Sequence, residues 1–249
     1  FENKFLYRNI ESELKRKLFS PATLMKLASP NYSRTDMAVD FYNQEIFSGR
    51  RYSDLVSKRL RPFIIVNATD MSMGSTFSFI QEKFDPICSE LSQMTVAMAV
   101  TASSCFPVAF APMTINNYAG DCGYQVPPWV EHALEDLQDN PSRFRRAQEL
   151  VSYLDSEKRP YIHLLDGGVA DNIGLRGPLD SIVSTDPAWS ILRKVNADRV
   201  SKLVVIVVDA KTKPDVKFDK KPSPPGLVDV LTKISTIPMG NFSFDTVQA

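Results

Sequence analysis

Apolar residues recur every three or four positions in several parts of the chain, which is the spacing of amphipathic helices. Residues 11–19 and 35–47 follow this pattern, and a stretch with two prolines, residues 20–33, separates them. Residues 94–101 are rich in helix formers and run into Pro107, which predicts a helix followed by a tight turn. Surface helices are predicted over residues 129–137 and 143–154, after a loop with glycines and prolines over 118–128.

Short, continuously apolar runs predict buried strands between these helices. Residues 62–68 form one run, and residues 76–81 are predicted to pair with it across a loop that holds Asp70 and Gly74. Residues 161–165 and 203–209 are two further runs, and the second consists almost entirely of β-branched and leucine residues. A helix predicted over 178–183 lies between them, and this strand, helix, strand order favours a parallel crossover.

Composition limits the class of protein without identifying it. A chain of 249 residues with 43% hydrophobic content suits one α/β domain that buries roughly 70 to 75% of its unfolded surface. Acidic and basic residues both number 29, so no global field draws the chain onto nucleic acid, and no nucleic-acid partner is expected. No apolar run approaches the roughly 20 residues of a membrane-spanning helix. The three cysteines have no CxxC spacing, so we expect no disulfide framework.

The strongest chemical candidate is Asp166, in the segment Leu-Leu-Asp-Gly-Gly-Val-Ala-Asp-Asn-Ile-Gly at residues 164–174. It follows a predicted buried strand, and open α/β sheets place their sites at such strand ends. Gly167 and Gly168 would let the backbone take positive φ or approach another segment closely, so that the carboxylate points at a partner. A plain Asp-Gly turn explains the same residues, because this dipeptide often ends strands.

This segment resembles the aspartate motif of bacterial patatin-like phospholipases. Further stretches occur in the order of that family: residues 63–70 (Phe-Ile-Ile-Val-Asn-Ala-Thr-Asp), 102–107 (Ala-Ser-Ser-Cys-Phe-Pro), 117–120 (Asn-Tyr-Ala-Gly), 208–210 (Val-Asp-Ala) and 237–239 (Ile-Pro-Met). The resemblance runs from about the first helix to the C-terminus. It implies a three-layer α/β/α domain with a mainly parallel central sheet, incomplete at the N-terminus. Residues 1–249 would then be a single truncated domain, with a helical region at 1–60 and the remaining sheet and covering helices at 61–249.

The resemblance also implies a lipid acyl hydrolase with a Ser-Asp dyad. Serine attacks an ester of a lipid or phospholipid, Asp166 is the base, and Gly167 and Gly168 support the motif. No cofactor or metal is implied, and contact with a membrane surface would be peripheral. The compartment is left open.

The sequence departs from the family because it contains no Gly-x-Ser-x-Gly; the nearest match, Gly74-Ser75, lacks the second glycine. The chain starts at Phe1, and we expect that it is cut just after the nucleophile helix and is inactive alone. The alternative is a non-catalytic lipid-binding or scaffolding relative.

Other candidates have simpler explanations. His163 could complete a Ser/His/Asp triad, but a half-buried histidine on a strand is common, and His132 lies far away in sequence. Cys105 is expected to be a packing residue. Asp70 and Asp171 are expected to be turn or capping carboxylates, and a place in the lining of the site is the alternative for each. The basic residues of 50–61 could touch anionic head groups, although a solvated loop is the simpler interpretation. Four aromatic residues could line an acyl groove, although core packing is commoner: Phe106, Phe110, Trp129 and Phe144.

Overall fold

The computed structural model describes residues 2–57, 63–175, 202, 204, 206–208 and 225–248. The chain divides into two compact units, Phe1–Asp166 and Gly167–Ala249, and the boundary falls inside the Asp-Gly-Gly motif. Whether residues 1–249 form one domain therefore stays a prediction. Each unit is described by itself.

The first unit begins with helices whose starts are capped by polar side chains. Asn9 and Ser20 each accept a main-chain N–H of the following turn, and Ser33 forms a reciprocal capping box with Asp36. The helices predicted over 11–19 and 35–47 are confirmed. These elements are a π-helical turn Glu2–Leu6, α1 (Ile10–Leu18), α2 (Pro21–Leu27), α3 (Arg34–Glu45) and α4 (Tyr52–Ser57).

Helix α2 is not among the predicted elements, although its signals are in the sequence. Ser20 is its N-cap and Pro21 is its first residue, a position where the missing N–H of proline costs nothing. The prolines of this stretch therefore do not simply separate two helices. A proline that starts a helix is recognised by a capping residue before it, as Ser20 is here.

The rest of the first unit alternates short strands with helices. The helices predicted over 94–101, 129–137 and 143–154 are confirmed with shifted ends, and so are the hairpin and the strand over 161–165. These elements are β1 (Asn67–Asp70), β2 (Thr76–Ser78), α5 (Gln81–Phe84), a 3-10 turn Leu91–Gln93, α6 (Val96–Ser103), β3 (Met113–Asn116), α7 (Trp129–Glu135), α8 (Pro141–Tyr153) and β4 (Tyr161–Asp166).

The strands of the described residues form one four-stranded sheet in the order β2-β1-β4-β3. Helices and strands are mixed as expected, but every pair of neighbouring strands among the described residues is antiparallel, so the predicted mainly parallel sheet is not supported. Apolar runs indicate strands without giving the direction of the partner, and here β4 pairs with strands that run the other way. Strand β3 was missed, although its residues are alternately buried and exposed.

In the part that the structure describes, two apolar runs are not the buried strands that we predicted. The strand β1 starts only at Asn67, and the preceding Phe63, Ile64 and Ile65 are 76%, 51% and 37% exposed. In the run 203–209, four described residues lie outside any strand and are exposed: Val204, Ile206, Val207 and Val208. Leu203, Val205 and Asp209 lie outside the described residues, as does the helix predicted over 178–183. An apolar run requires a packing partner before it is buried, and periodicity does not supply one.

The core of the first unit lies on the face of the sheet that carries alternate residues of β4. Ile162 and Leu164 are fully buried, whereas His163 between them is exposed. The Phe77 ring makes edge contacts with three other aromatic rings at centroid distances of 5.6 to 6.1 Å: Phe79, Phe84 and Tyr153. Such edge-to-face pairs add about 0.5 to 1.5 kcal/mol each beyond the burial of their area.

A disulfide joins Cys88 and Cys122, which contradicts our expectation from the cysteine count. The two cysteines are 34 residues apart in sequence, and their Cα atoms are 5.4 Å apart. The Tyr118 N–H donates to the Ile87 carbonyl oxygen and so brings the 117–123 loop beside the end of α5. This proximity is a tertiary feature that residue spacing does not show.

In the second unit, a short helix α9 (Gly168–Asp171) contacts a long helix α10 (Leu227–Gln248). Among the helices that the structure describes, none combines the length and the apolar content that a membrane span requires.

Candidate functional site

Asp166 lies at the C-terminal end of β4, which is an interior strand of the sheet. Its main-chain N–H donates to the Cys105 carbonyl oxygen at 3.0 Å, and its own carbonyl oxygen accepts the Thr69 hydroxyl at 2.8 Å. In register it is paired with Ala68 of β1. The residue is only partly buried. The main chain that carries the carboxylate is thus held from two directions.

The turn after α6 lies against the main chain of Asp166. Ser104 ends the helix with a hydroxyl that donates to the carbonyl oxygens of Val100 and Thr101. Val108 has a φ of 76°, a left-handed conformation that is rare for a β-branched residue and costs of order 1 to 3 kcal/mol. Arg34 of α3 donates to the Val108 carbonyl oxygen. Strained backbone of this kind clusters at functional sites, so the turn is a candidate wall of one.

Cys105 in this turn is a buried, protonated thiol. Burial raises the pKa of the Cys105 thiol to about 11, and the negative charge of Asp166 acts in the same direction. The side chain is fully buried, with its sulfur 4.0 Å from the Thr35 hydroxyl. A thiol that stays protonated is a poor nucleophile, which agrees with the packing role expected for it.

Positive φ, one of the two alternatives expected for the glycines after Asp166, is not found. Gly167 has φ −61° and ψ −29°, and Gly168 is the first residue of α9, so positive φ is wrong for both. Asp171 is buried and accepts the Gly174 N–H at 3.1 Å, which confirms its role as a turn carboxylate.

Asp70, at the end of β1, is fully buried, and both oxygens of its carboxylate accept hydrogen bonds. The two Arg159 contacts to its carboxylate oxygens measure 3.1 and 2.8 Å, and the Tyr153 hydroxyl donates at 2.8 Å. The main-chain N–H groups of Ser72 and Met73 also donate to it, at 2.9 and 3.2 Å. These last two bonds confirm that Asp70 is a turn carboxylate. The ion pair to Arg159, in which one guanidinium nitrogen contacts both carboxylate oxygens, was not predicted, because the two residues are 89 positions apart.

The electrostatics of Asp70 result from these contacts. Burial pushes the pKa of its carboxyl upward, but hydrogen bonds from Arg159 and Tyr153 and the positive charge of Arg159 outweigh burial, so the pKa lies below its ordinary value. Burial, together with the charges of Glu149 and Asp70, holds the pKa of Tyr153 well above its ordinary value. An ion pair between Lys83 and Glu149, at 2.7 Å, completes the group of charged and polar side chains around Asp70. A carboxylate with so many partners has a structural role.

The two histidines do not join the site. The His163 ring nitrogen Nδ1 lies 2.9 Å from the Thr114 hydroxyl on the exposed side of the sheet. His163 and Asp166 are three positions apart on one strand, so their side chains point to opposite faces and cannot form one triad. His132 lies on α7, where its ring contacts the Pro128 carbonyl oxygen. No group of three or more side chains in the described ranges could hold a metal ion.

The lipid-contact candidates are dispersed. The Arg51 guanidinium donates to the main-chain and side-chain oxygens of Gln93. Lys58, Arg59 and Arg61 lie outside the described residues. Phe110 packs against the main core, whereas Trp129 packs against a separate cluster of α7 and α8. An acyl groove lined jointly by these aromatics is therefore not supported.

Comparison with known proteins adds no relative to this description. No family model, no curated protein and no solved structure matches the chain.

Proposed function

We propose that this chain belongs to a lipid acyl hydrolase in which Asp166 is the general base of a Ser-Asp dyad. The observation that carries the proposal is the placement of Asp166 at the end of an interior strand, with its main chain held by Cys105 and Thr69 and its side chain only partly buried. The motif order of the sequence, which resembles that of bacterial patatin-like phospholipases, supports the same assignment.

The proposed chemistry is acyl transfer to serine and then to water. The Asp166 carboxylate takes the proton of the serine hydroxyl while the serine oxygen attacks the ester carbonyl, and the protonated Asp166 then gives this proton to the alcohol oxygen of the lipid as the bond from that oxygen to the carbonyl carbon breaks. A water molecule then attacks the acyl-serine, with the same carboxylate as its base. A positioned base of this kind accelerates the reaction by about 10² to 10⁴. The substrate would be a lipid or phospholipid ester, met at a membrane surface.

A second function is a lipid-binding or scaffolding role without catalysis. It is favoured by one observation: the sequence contains no Gly-x-Ser-x-Gly, so these residues include no recognisable nucleophile. The catalytic proposal therefore requires that the serine is supplied by a segment beyond these 249 residues.

The test is hydrolysis of a nitrophenyl butyrate ester by the protein extended with whatever its gene encodes upstream of Phe1. Three forms are compared: the extended protein, its Asp166→Asn variant and a control, Asp121→Asn, which alters an exposed loop carboxylate in the same way. We expect Asp166→Asn to lose about 10² to 10⁴ in kcat/KM and Asp121→Asn to keep its activity.

Two results would reject the dyad. Full activity of a folded Asp166→Asn variant removes Asp166 as the base. A folded extended protein that hydrolyses no ester, yet sediments with phospholipid vesicles, supports the lipid-binding function instead.

A further inference from the structure

We propose that the Cys88–Cys122 disulfide is a thiol–disulfide exchange site for small-molecule thiols, in which the thiol attacks Cys122 and Cys88 is the leaving group. The inference rests on the surroundings of the two sulfurs and is independent of the hydrolase proposal.

The two cysteines differ in accessibility. Cys122 lies in an exposed turn, between Gly120 and Gly123, which both have positive φ. Cys88 is only partly exposed and directly follows Ile87, a fully buried core residue. The rate of thiol–disulfide exchange depends on access to the sulfur under attack. A thiol from solvent therefore meets Cys122 first.

The hydrogen-bonding groups around the sulfurs favour the same direction. The main-chain N–H of Cys122 lies 3.2 Å from the Cys88 sulfur, where it can donate to a thiolate as it forms. The Cys122 sulfur instead faces the Asp85 carbonyl oxygen at 3.9 Å, which would repel a negative charge. A better stabilised thiolate leaves faster, so cleavage should release Cys88.

The exchange consists of two successive displacements at sulfur, each by a thiolate. A thiolate RS⁻ forms a bond to the Cys122 sulfur as the bond between Cys88 and Cys122 breaks, and the electron pair leaves with Cys88, which then takes a proton from water. A second thiolate attacks the R sulfur of the mixed disulfide and releases Cys122. The net reaction converts two RSH and the protein disulfide into RSSR and two protein thiols. The reverse reaction, with a small-molecule disulfide as the oxidant, forms the cross-link.

The effect of exchange should be local. The 117–123 loop keeps other attachments at its start, because the Asn117 amide donates to the carbonyl oxygens of Tyr153 and Arg159. The Ser156 hydroxyl also donates to the Ala119 carbonyl oxygen. Beyond Ala119, the disulfide is the covalent attachment of the loop to the end of α5. Reduction should thus release the turn around Cys122 while the sheet stays folded.

The first measurement establishes the cross-link itself. The 249-residue chain is incubated with oxidised glutathione, which is then removed. The chain is denatured and alkylated with iodoacetamide, and its mass is compared with that of a sample reduced before alkylation. We expect one alkylated cysteine, Cys105, without reduction and all three with it. Three alkylated cysteines without reduction would overturn the proposal.

The second measurement tests the direction of attack. The oxidised native chain is treated briefly with 2-mercaptoethanol in the presence of iodoacetamide, quenched with acid and mapped by mass spectrometry. Trypsin is unsuitable because no Lys or Arg lies between Lys83 and Arg143, whereas cleavage after Glu90 and Asp121 places each cysteine in its own peptide.

We expect the mercaptoethanol adduct on Cys122 and the alkyl group on Cys88. An adduct found equally on both cysteines, or mainly on Cys88, would overturn the assigned direction. The same sample denatured in urea before treatment is the control, since unfolding removes the difference in access and should make the two adducts similar.

Discussion

Asp70 and Asp166 are carboxylates at the C-terminal ends of two neighbouring strands, yet the protein surrounds them differently. Because β1 and β4 are antiparallel, the two residues lie at opposite ends of the strand pair: Asp70 is opposite Leu164, and Asp166 is opposite Ala68. Asp70 is completely buried and bonded to Arg159, Tyr153 and two main-chain N–H groups. Asp166 is partly buried and stands beside a strained turn.

The difference separates a structural carboxylate from a chemical candidate. A buried charge with paired donors stabilises the fold only as part of its group, and removal of one member leaves the other charge uncompensated. Two hydrogen bonds of Asp166, to the Cys105 carbonyl oxygen and from the Thr69 hydroxyl, use its main chain and do not depend on the charge of its side chain. Substitutions and acid titration test this distinction by their effect on stability.

The largest effect is expected from Asp70→Asn. The amide cannot neutralise Arg159, whose side chain is only 15% exposed, so a positive charge is left poorly solvated. We expect the free energy of unfolding in urea to fall by about 3 to 5 kcal/mol. Asp121→Asn is the matched control, and it should change stability by less than about 0.5 kcal/mol.

A double variant sharpens this prediction. Replacement of Arg159 by Met in the Asp70→Asn background removes the uncompensated positive charge. The loss of unfolding free energy in the double variant should therefore be smaller than the sum of the losses in the two single variants. Additive losses would show that Asp70 and Arg159 do not act as a pair.

An intermediate effect is expected in acid. The pKa of Asp70 is lowered in the folded protein, so its contribution is fully present above the unfolded pKa of about 3.9 and is lost as pH falls below that value through the folded pKa. Unfolding free energies measured from about pH 6 to about pH 2 should therefore fall more steeply at the acid end for the wild-type chain than for Asp70→Asn. Parallel profiles would contradict the lowered pKa.

The smallest effect is expected from Asp166→Asn. Asparagine has nearly the shape of aspartate, and the main-chain bonds to Cys105 and Thr69 are unchanged, so the unfolding free energy should change by no more than about 1 kcal/mol. Circular dichroism with urea titration measures it. A loss as large as that of Asp70→Asn would mean that Asp166 is also a structural carboxylate, and the dyad proposal would lose its basis.

Local patterns predicted most helices and the hairpin, because their signals lie within a few residues. Spacing of apolar residues located α1, α3 and α8, and Asp70 and Gly74 marked the turn between β1 and β2. Asp166 was correctly placed at a strand end for the same reason. Helix α2 and strand β3 also had local signals, and they could have been found by closer attention to Ser20-Pro21 and to alternation over 113–116.

The sequence by itself thus determined most of the helices, the hairpin and which carboxylates end strands, since these depend on periodicity, capping and turn chemistry. Only the tertiary structure decided the antiparallel order of the sheet, the pairing of Asp70 with Arg159 and the bond between Cys88 and Cys122. Each of these joins residues dozens of positions apart. Such contacts arise from the packing of the whole chain, and no local spacing encodes them.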